Sequence, residues 1–135
     1  MEDPYWVTDA GPMVLISCMT NLLPFTLLAL EEVKARYPDK TLVLGGVGPT
    51  AVEAQILERF PFVDVIARGE GERTVVELVE ALQAGGDLGR VQGIAYRQDG
   101  HAVLTPARPR VPDLDSLPFP AFHHIDLSRY QGYGM

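Results

Sequence analysis

The stretch VDVIARGEGERTVVELVEAL, residues Val63–Leu82, decides the fold. Its first five residues form a short, largely apolar run of the kind that becomes a buried strand. Its second half repeats apolar residues at the spacing of one helix face: Val75, Leu78, Val79 and Leu82. Only an Arg-Gly-Glu-Gly-Glu corner separates the two halves, so we predict a strand that passes directly into an amphipathic helix.

Two further units of the same kind precede this stretch. MVLIS (Met13–Ser17) predicts a strand, and the leucine-rich stretch Pro24–Tyr37 predicts a helix. TLVLGG (Thr41–Gly46) predicts the next strand. The helix after it is expected to start at Thr50–Glu53, which has the spacing of a capping box. Strands that alternate with helices at this pace indicate an α/β fold with a parallel sheet and right-handed crossovers.

The chain changes character after the third predicted helix. Asp99-Gly100 stands between two short β-prone runs and predicts a hairpin. The turn would pair two sets of residues: Tyr96 with Val103, and Ile94 with Thr105. Five prolines follow the hairpin and predict an extended connector. We therefore divide the chain into three parts: an α/β domain at 13–86, a β-hairpin at 87–106 and a linker at 107–135.

Composition excludes several classes of protein. The net charge of −7 argues against a nucleic-acid or anionic-membrane surface, which requires lysine and arginine. The single cysteine, Cys18, excludes an internal disulfide framework and an iron–sulfur cluster held by this chain alone. No apolar run reaches the ~20 residues of a membrane span, and the N-terminus lacks the basic region of a secretory signal. We therefore predict a cytoplasmic protein.

Ligands of open parallel sheets bind at the carboxyl ends of the strands, and three such ends occur here. They are SCMTN (Ser17–Asn21), GGVGPT (Gly45–Thr50) and RGEGERT (Arg68–Thr74). The glycines of the second corner allow a ligand to approach the backbone closely. In the third corner, Glu70 and Glu72 suit the first turn of a helix, and Arg68 would face the same edge and could pair with them. No set of residues resembles a catalytic triad, so the corners indicate binding without catalysis.

Two other interpretations of the second corner stay open at this point: ordinary turn chemistry, since such glycine patterns are common, and a dinucleotide site. Gly46-x-Gly48-x-x-Ala51 matches the dinucleotide fingerprint, and Glu70 lies near the spacing of the ribose-binding acid. Another strand and helix precede this match, whereas the fingerprint normally opens the first unit. Cys18 has no histidine partner in its corner. The three histidines (His101, His123 and His124) lack further ligands at zinc spacing, so no metal site is assigned.

Taken in order, four segments resemble one known family. VLISCMTN, TLVLGGVGPTAVEAQIL, VDVIARGEGERTVVELVEAL and VQGIAYRQDGHAVLTPARPRVPDLDSLPFPAF are similar to a cobalamin (vitamin B12)-binding domain. That domain precedes the catalytic barrel of B12-dependent radical S-adenosylmethionine (SAM) enzymes, such as the anaerobic magnesium-protoporphyrin IX monomethyl ester cyclases and assorted methyltransferases. The resemblance extends from Met13 to Tyr130. The RGEGE-T corner and the DLDSLPFPA connector are its most specific parts.

The resemblance implies a five-stranded, doubly wound, flavodoxin- or Rossmann-like sheet that buries the nucleotide tail of cobalamin along its strand ends. Ser17 and Thr20 match the hydroxyls that meet the tail. Gly45 and Gly46 match the glycine pair that lets the tail pass the backbone. The full set that the resemblance assigns to the cofactor is Ser17, Thr20, Gly45, Gly46, Val47, Gly48, Pro49, Gly69, Glu70 and Gly71. It assigns neither a catalytic residue nor a metal ligand.

Two departures from the family limit what this chain is expected to do. The family's first strand, first helix and second strand should precede Met13, where only twelve residues stand, and this portion would include the Asp-x-His-x-x-Gly motif that some cobalamin proteins carry, so no lower cobalt ligand is named. The CxxxCxxC motif of the barrel is absent too. We therefore expect the later part of a binding domain plus a linker. The 4Fe-4S cluster and SAM would be bound only by a barrel elsewhere in the parent, a methyltransferase or porphyrin-ring cyclase. From this chain alone we expect weak or no cobalamin binding and no turnover.

The expected partners are cobalamin and the radical SAM barrel of the same parent chain, with neither nucleic acid nor membrane. The first strand would form an apolar sheet edge, which other chains tend to pair with. We therefore expect a homodimer through this strand, or a cover formed by residues 4–11. Two rivals remain: a dinucleotide-binding oxidoreductase fragment, and a degenerate docking domain that binds no cofactor.

Overall fold

The computed structural model describes residues 11–126. Its helices and strands are β1 Met13–Ser17, α1 Leu23–Arg36, β2 Thr41–Gly45, α2 Glu53–Arg59, β3 Val65–Ala67, α3 Gly71–Gln83, β4 Ile94–Gln98 and β5 His101–Leu104. Short 3-10 helices lie at Thr20–Leu22, Leu88–Arg90, Leu114–Ser116 and Phe122–His124. The three predicted strand–helix units are confirmed.

All five strands form one sheet in the order β1-β2-β3-β4-β5. The first three are parallel, whereas β4 pairs with β3 and β5 pairs with β4 in antiparallel fashion. The predicted hairpin register is confirmed, since Tyr96 lies opposite Val103 and the Thr105 N–H donates to the Ile94 carbonyl. Its turn, Asp99-Gly100, has positive φ at both residues, as a type I′ turn requires. The hairpin extends the main sheet, and the proposed division at residue 86 stays a prediction.

Two apolar clusters hold helices against opposite faces of the sheet. On one face, α1 and α2 pack through Leu27, Leu30, Val33, Ile56 and Leu57 against Leu42, Leu44 and Ile66. On the other face, α3 packs through Leu78 against Val43, Val65, Ile94 and Tyr96. Neighbouring residues of β2 point to opposite faces, so the strand is buried on both sides, as its continuous apolar sequence predicts. The α/β fold is thereby confirmed.

Within residues 11–126, no helix covers the β1 side of the α3 face of the sheet. β1 is the edge strand, and α3 packs on the β3–β4 side, so the Leu15 side chain remains 42% exposed. Of residues 4–11, which we expected to cover this edge, all but Gly11 lie outside the described part of the chain. Of the helices in residues 11–126, none combines the length and apolar composition that a membrane crossing requires.

The start of α2 differs from its prediction. The helix begins at Glu53 with Val52 as the N-cap and without a side-chain cap, so the capping box at Thr50–Glu53 is wrong. The Thr50 hydroxyl donates instead to the Gly46 carbonyl at 3.2 Å. At the other end of α2, the Arg97 guanidinium donates to the carbonyls of Leu57, Phe60, Pro61 and Val63. This arginine on β4 therefore ties the hairpin to the last turn of α2.

Candidate binding site at the carboxyl edge of the sheet

A cleft of about 360 Å³ opens where β1, β2 and β3 end, on the face that α3 covers in part. It is lined by Leu15, Ile16, Ser17, Val43, Gly45, Gly46, Ala67, Gly69, Gly71 and Val75. This position is the one at which open α/β sheets bind ligands. The volume falls within the range of small-molecule sites.

Two rows of side chains shape the cleft. In the register of the parallel strands, Ser17 lies beside Gly45, and the Cβ that Gly45 lacks would lie 3.7 Å from the Ala67 Cβ. These three residues form a row of small side chains across three neighbouring strands. One step back along the strands, Leu15 lies beside Val43 and forms an apolar row. The sheet therefore presents a trough with an apolar floor that ends in a row of small side chains.

The glycines after Gly45 have a structural role. The Gly48 N–H donates to the Cys18 carbonyl at 2.9 Å. A Cβ at Gly46 would lie 2.6 Å from the Cys18 carbonyl oxygen, and a Cβ at Gly48 would lie 2.6 Å from the Cys18 Sγ. Only glycine at these two positions lets the loop after β2 pack on the loop after β1.

The dinucleotide fingerprint does not match this geometry. Its glycines should approach a pyrophosphate with free N–H groups, whereas the Gly48 N–H is already bonded to Cys18. The third position, Ala51, has a φ of 72°, and the helix starts only at Glu53. A pyrophosphate would therefore meet the loop after β1 rather than the start of a helix.

The structure brings half of the ten predicted cofactor-binding residues into the cleft: Ser17, Gly45, Gly46, Gly69 and Gly71. Four others lie beside it without lining it. Thr20 is exposed and begins a 3-10 helix, Val47 is exposed, and Gly48 and Pro49 are buried. The tenth, Glu70, precedes α3 and points elsewhere. Its carboxylate accepts the Val111 N–H at 3.1 Å and does not cap the helix.

Sequence reasoning missed the apolar lining of the cleft: Leu15, Ile16, Val43, Ala67 and Val75. A signal for part of it was present, because alternate residues of a strand share a face. Leu15 lies two residues before Ser17, and Val43 lies two residues before Gly45. Both therefore had to share a face with the small residues that follow them.

The predicted pairing of Arg68 with Glu70 and Glu72 is wrong. Arg68 Nε donates to Glu53 Oε1 at 3.2 Å, and its Nη1 donates to the Thr105 carbonyl at 3.0 Å. Glu53 is only 8% exposed, so its carboxylate requires a partner more than the exposed glutamates of α3 do. The ion pair holds α2 against the end of β3.

We expect Arg68→Met to lower the free energy of unfolding by about 1–2 kcal/mol, because the Glu53 carboxylate would stay nearly buried without its cation. Arg73→Met removes an exposed arginine of α3 and serves as the matched control. Urea denaturation measures both changes. Adding Glu53→Gln to Arg68→Met should restore part of the loss, and an equal loss in Arg73→Met would contradict this account.

Neither Cys18 nor a histidine supplies reactive chemistry to the cleft. Burial raises the pKa of the Cys18 thiol, and a hydrogen bond with Thr26 acts in the opposite direction. The thiol therefore stays protonated at neutral pH. His101 follows the hairpin turn, which lies at the opposite edge of the sheet because β4 is antiparallel to β3. Within residues 11–126, His, Cys, Asp and Glu form no group of three that could hold a metal ion.

Comparison with known proteins identifies relatives of this chain. The family model described as "B12 binding domain" matches residues 9–79, just over half of the chain. An anaerobic magnesium-protoporphyrin IX monomethyl ester cyclase from Synechocystis sp. is 41% identical over 101 residues, which cover 75% of this chain and 20% of the relative. The cobalamin-dependent radical SAM methyltransferase TokK from Streptomyces tokunonensis is 37% identical over 109 residues, which cover 80% of this chain and 16% of the relative. The chain thus spans about a fifth of the length of the curated relatives it matches.

Solved structures share the fold. The cobalamin-dependent SAM radical enzyme OxsB, with aqua-cobalamin and SAM bound, matches with a TM-score of 0.61 and 25% identity. That match covers 77% of this chain and 15% of OxsB. The radical SAM methyltransferase TsrM from Kitasatospora setae, with cobalamin and a [4Fe-4S] cluster bound, matches with a TM-score of 0.64 and 18% identity. It covers 84% of this chain and 22% of TsrM.

Proposed function

Because this chain belongs to the B12 binding domain family, we propose that its cleft holds the nucleotide tail of cobalamin and orients the cofactor. Cobalt supplies the chemistry of a bound cobalamin, and the protein supplies binding and orientation. This division of labour agrees with a cleft that is lined by small and apolar residues.

The row Ser17–Gly45–Ala67 is the observation that carries the proposal. Each of three neighbouring strands ends at the cleft with a small residue, and the middle residue, Gly45, has no side chain. A flat group can therefore lie against the backbone at Gly45 and rest on the apolar row of Leu15 and Val43. Ser17 lines the cleft and is exposed, so its hydroxyl can donate to or accept from the tail.

The start of α3 supports the same placement. Gly71 is the first residue of the helix and lines the cleft, and no side chain caps the first-turn N–H groups. Such groups attract polar and anionic atoms. The polar linker of the tail can use them while the base occupies the apolar part. Thr20, Val47, Gly48 and Pro49 then support the loops rather than touch the tail.

The proposal extends to the parent enzyme. Relatives described as a cyclase and as radical SAM methyltransferases support a parent that joins this domain to a radical SAM barrel. The barrel would bind the 4Fe-4S cluster and SAM and would carry out the turnover. Residues 107–135 would form the linker to it. We also propose a cytoplasmic location and a homodimer that pairs the exposed β1 edges.

The wild-type chain is expected to bind hydroxocobalamin with a dissociation constant in the micromolar range or weaker, about −8 kcal/mol or less favourable. A cleft of about 360 Å³ encloses only part of so large a cofactor. Each neutral hydrogen bond to it contributes only about 0.5–1.5 kcal/mol net. Titration calorimetry measures the affinity, and the visible spectrum reports the environment of the corrin.

NADH provides the control ligand. Binding of NADH without binding of hydroxocobalamin would favour the dinucleotide site and contradict the proposal. Absence of binding to either ligand would favour the degenerate docking domain. Within the proposal, Ser17→Ala should weaken cobalamin binding by about twofold to tenfold, as the loss of one neutral hydrogen bond does.

A further inference from the structure

The Gly69–Gly71 corner faces two parts of the molecule at once. Gly69 and Gly71 line the cleft, whereas the Glu70 side chain between them turns toward the proline-rich connector. Its carboxylate accepts the backbone N–H of Val111 at 3.1 Å, 41 residues further along the chain. No N–H of α3 donates to this carboxylate, so among the described residues its one hydrogen-bond donor is Val111 of the connector.

A second contact fixes the connector three residues earlier. Arg108 Nε donates to the Thr74 hydroxyl at 2.8 Å, and its two terminal nitrogens form a bidentate pair with the Glu77 carboxylate. The Arg108 side chain is only 13% exposed, and Thr74 is fully buried. This arginine therefore anchors the connector to the first two turns of α3.

The two contacts are joined through Thr74. Its hydroxyl lies 3.4 Å from the Glu70 carbonyl and 3.4 Å from the Gln92 carbonyl. Arg108, Thr74, Glu70 and Val111 therefore form a continuous path from the connector to the wall of the cleft. A change in the backbone at Gly69–Gly71 shifts the Cα from which the Glu70 carboxylate reaches Val111, and so strains this hydrogen bond.

We infer that Glu70 is a positioning residue that links occupancy of the cleft to docking of the connector on α3. The inference rests on the proposed function, because it takes the ligand of the cleft to be cobalamin. A ligand that rests on Gly69 and Gly71 favours one backbone conformation of the corner, and that conformation presents the carboxylate to Val111. Coupling of this kind is reciprocal, so a docked connector favours cobalamin binding by the same factor.

The connector beyond Val111 carries exposed apolar side chains, which the proposed coupling would affect. Leu114, Phe119 and Phe122 are exposed, with Phe119 at 96%. Together with Val76 of α3, the connector borders an apolar groove of about 970 Å³. The Glu70 contact sets where the connector enters this groove. Cobalamin binding is thus expected to order an apolar segment that lies outside the cleft.

Amide hydrogen exchange at Val111, measured on the full chain with and without hydroxocobalamin, tests the inference. In the wild type, the cofactor should slow exchange of the Val111 amide. Glu70→Ala should speed that exchange about tenfold without any ligand, as loss of a hydrogen bond to a charged group does. It should also weaken cobalamin binding several-fold, whereas Glu70→Gln keeps an acceptor oxygen and should restore part of both effects.

Glu72→Ala is the matched control, because it removes a carboxylate two residues from Glu70, in the first turn of α3, and Glu72 has no hydrogen-bonding partner among the residues that the structure describes. Equal effects of Glu72→Ala would show that only charge at the helix end matters and would overturn the inference. Hydroxocobalamin that binds the wild type but leaves Val111 exchange unchanged would overturn the coupling and leave the proposed function standing. Failure of hydroxocobalamin to bind the wild type at all would overturn both.

Discussion

Gly46→Ala is expected to lower the free energy of unfolding by about 3 kcal/mol or more. The added Cβ would lie 2.6 Å from the Cys18 carbonyl oxygen, 2.7 Å from the Ser17 Oγ and 3.0 Å from the Cys18 nitrogen. Two of these neighbours are backbone atoms and cannot rotate away. The φ of +84° adds the cost of a left-handed conformation, about 1–2 kcal/mol for an L-residue. Forced overpacking adds a further ~1–3 kcal/mol.

Substitutions at two other glycines separate the cost of the left-handed φ from the cost of overpacking. Gly69→Ala has a similar φ of +72° but no atom within 4 Å of the new Cβ, so it should cost only the left-handed conformation, about 1–2 kcal/mol. Gly48→Ala meets Cys18 Sγ at 2.6 Å without a left-handed φ, so it reports crowding alone. Urea denaturation of the three variants gives the comparison. A loss in Gly46→Ala no larger than that in Gly69→Ala would mean that the β1 loop adapts easily, contrary to this account.

The glycine-rich corner after β2 was misinterpreted from the sequence because its glycines have different neighbours. A glycine indicates that something approaches the backbone closely, but the sequence does not say what approaches. At Gly46 and Gly48 the neighbour is the loop after β1, whose sequence lies about thirty residues away. At Gly45 the missing side chain leaves space in the cleft instead. Gly-rich patterns therefore match a dinucleotide fingerprint without providing its geometry.

Local signals predicted most of the fold. The strand–helix units follow from apolar runs and helical spacing, and the hairpin follows from Asp99-Gly100 at its turn. Each of these signals is contained in a few neighbouring residues, and each is consistent with the whole fold. The capping box at Thr50–Glu53 failed because the Glu53 carboxylate pairs with Arg68, which follows β3, and the Thr50 hydroxyl donates to the Gly46 carbonyl.

The candidate site was predicted less completely, because its contacts join distant parts of the chain. Nothing near Glu70 in the sequence indicates that its partner is the Val111 amide. The choice between Glu53 and the nearer glutamates as the partner of Arg68 depends on burial, which only the packed structure shows. By contrast, the three strand ends could be located in advance, since parallel strands must end at one edge.

Gly45→Leu is expected to weaken hydroxocobalamin binding at least about 30-fold, roughly 2 kcal/mol, while the fold persists. The new Cβ would lie 3.7 Å from the Ala67 Cβ, an ordinary contact, and the rest of the side chain would extend into the cleft. The backbone bond from the Cys18 N–H to the Gly45 carbonyl is unaffected. Glycine within a strand is itself unfavourable, so stability should not fall.

Gly45→Ala and Gly46→Ala serve as opposite controls for this variant. Gly45→Ala adds one methyl group to the row of small side chains and should weaken binding less than Gly45→Leu. Gly46→Ala should lower stability, so its effect on binding cannot be attributed to the path of the tail. Calorimetric titration and urea denaturation of all three variants separate the two kinds of loss. If Gly45→Leu is stable and binds hydroxocobalamin as tightly as the wild type, the tail does not lie on Gly45, and the cleft is not its site.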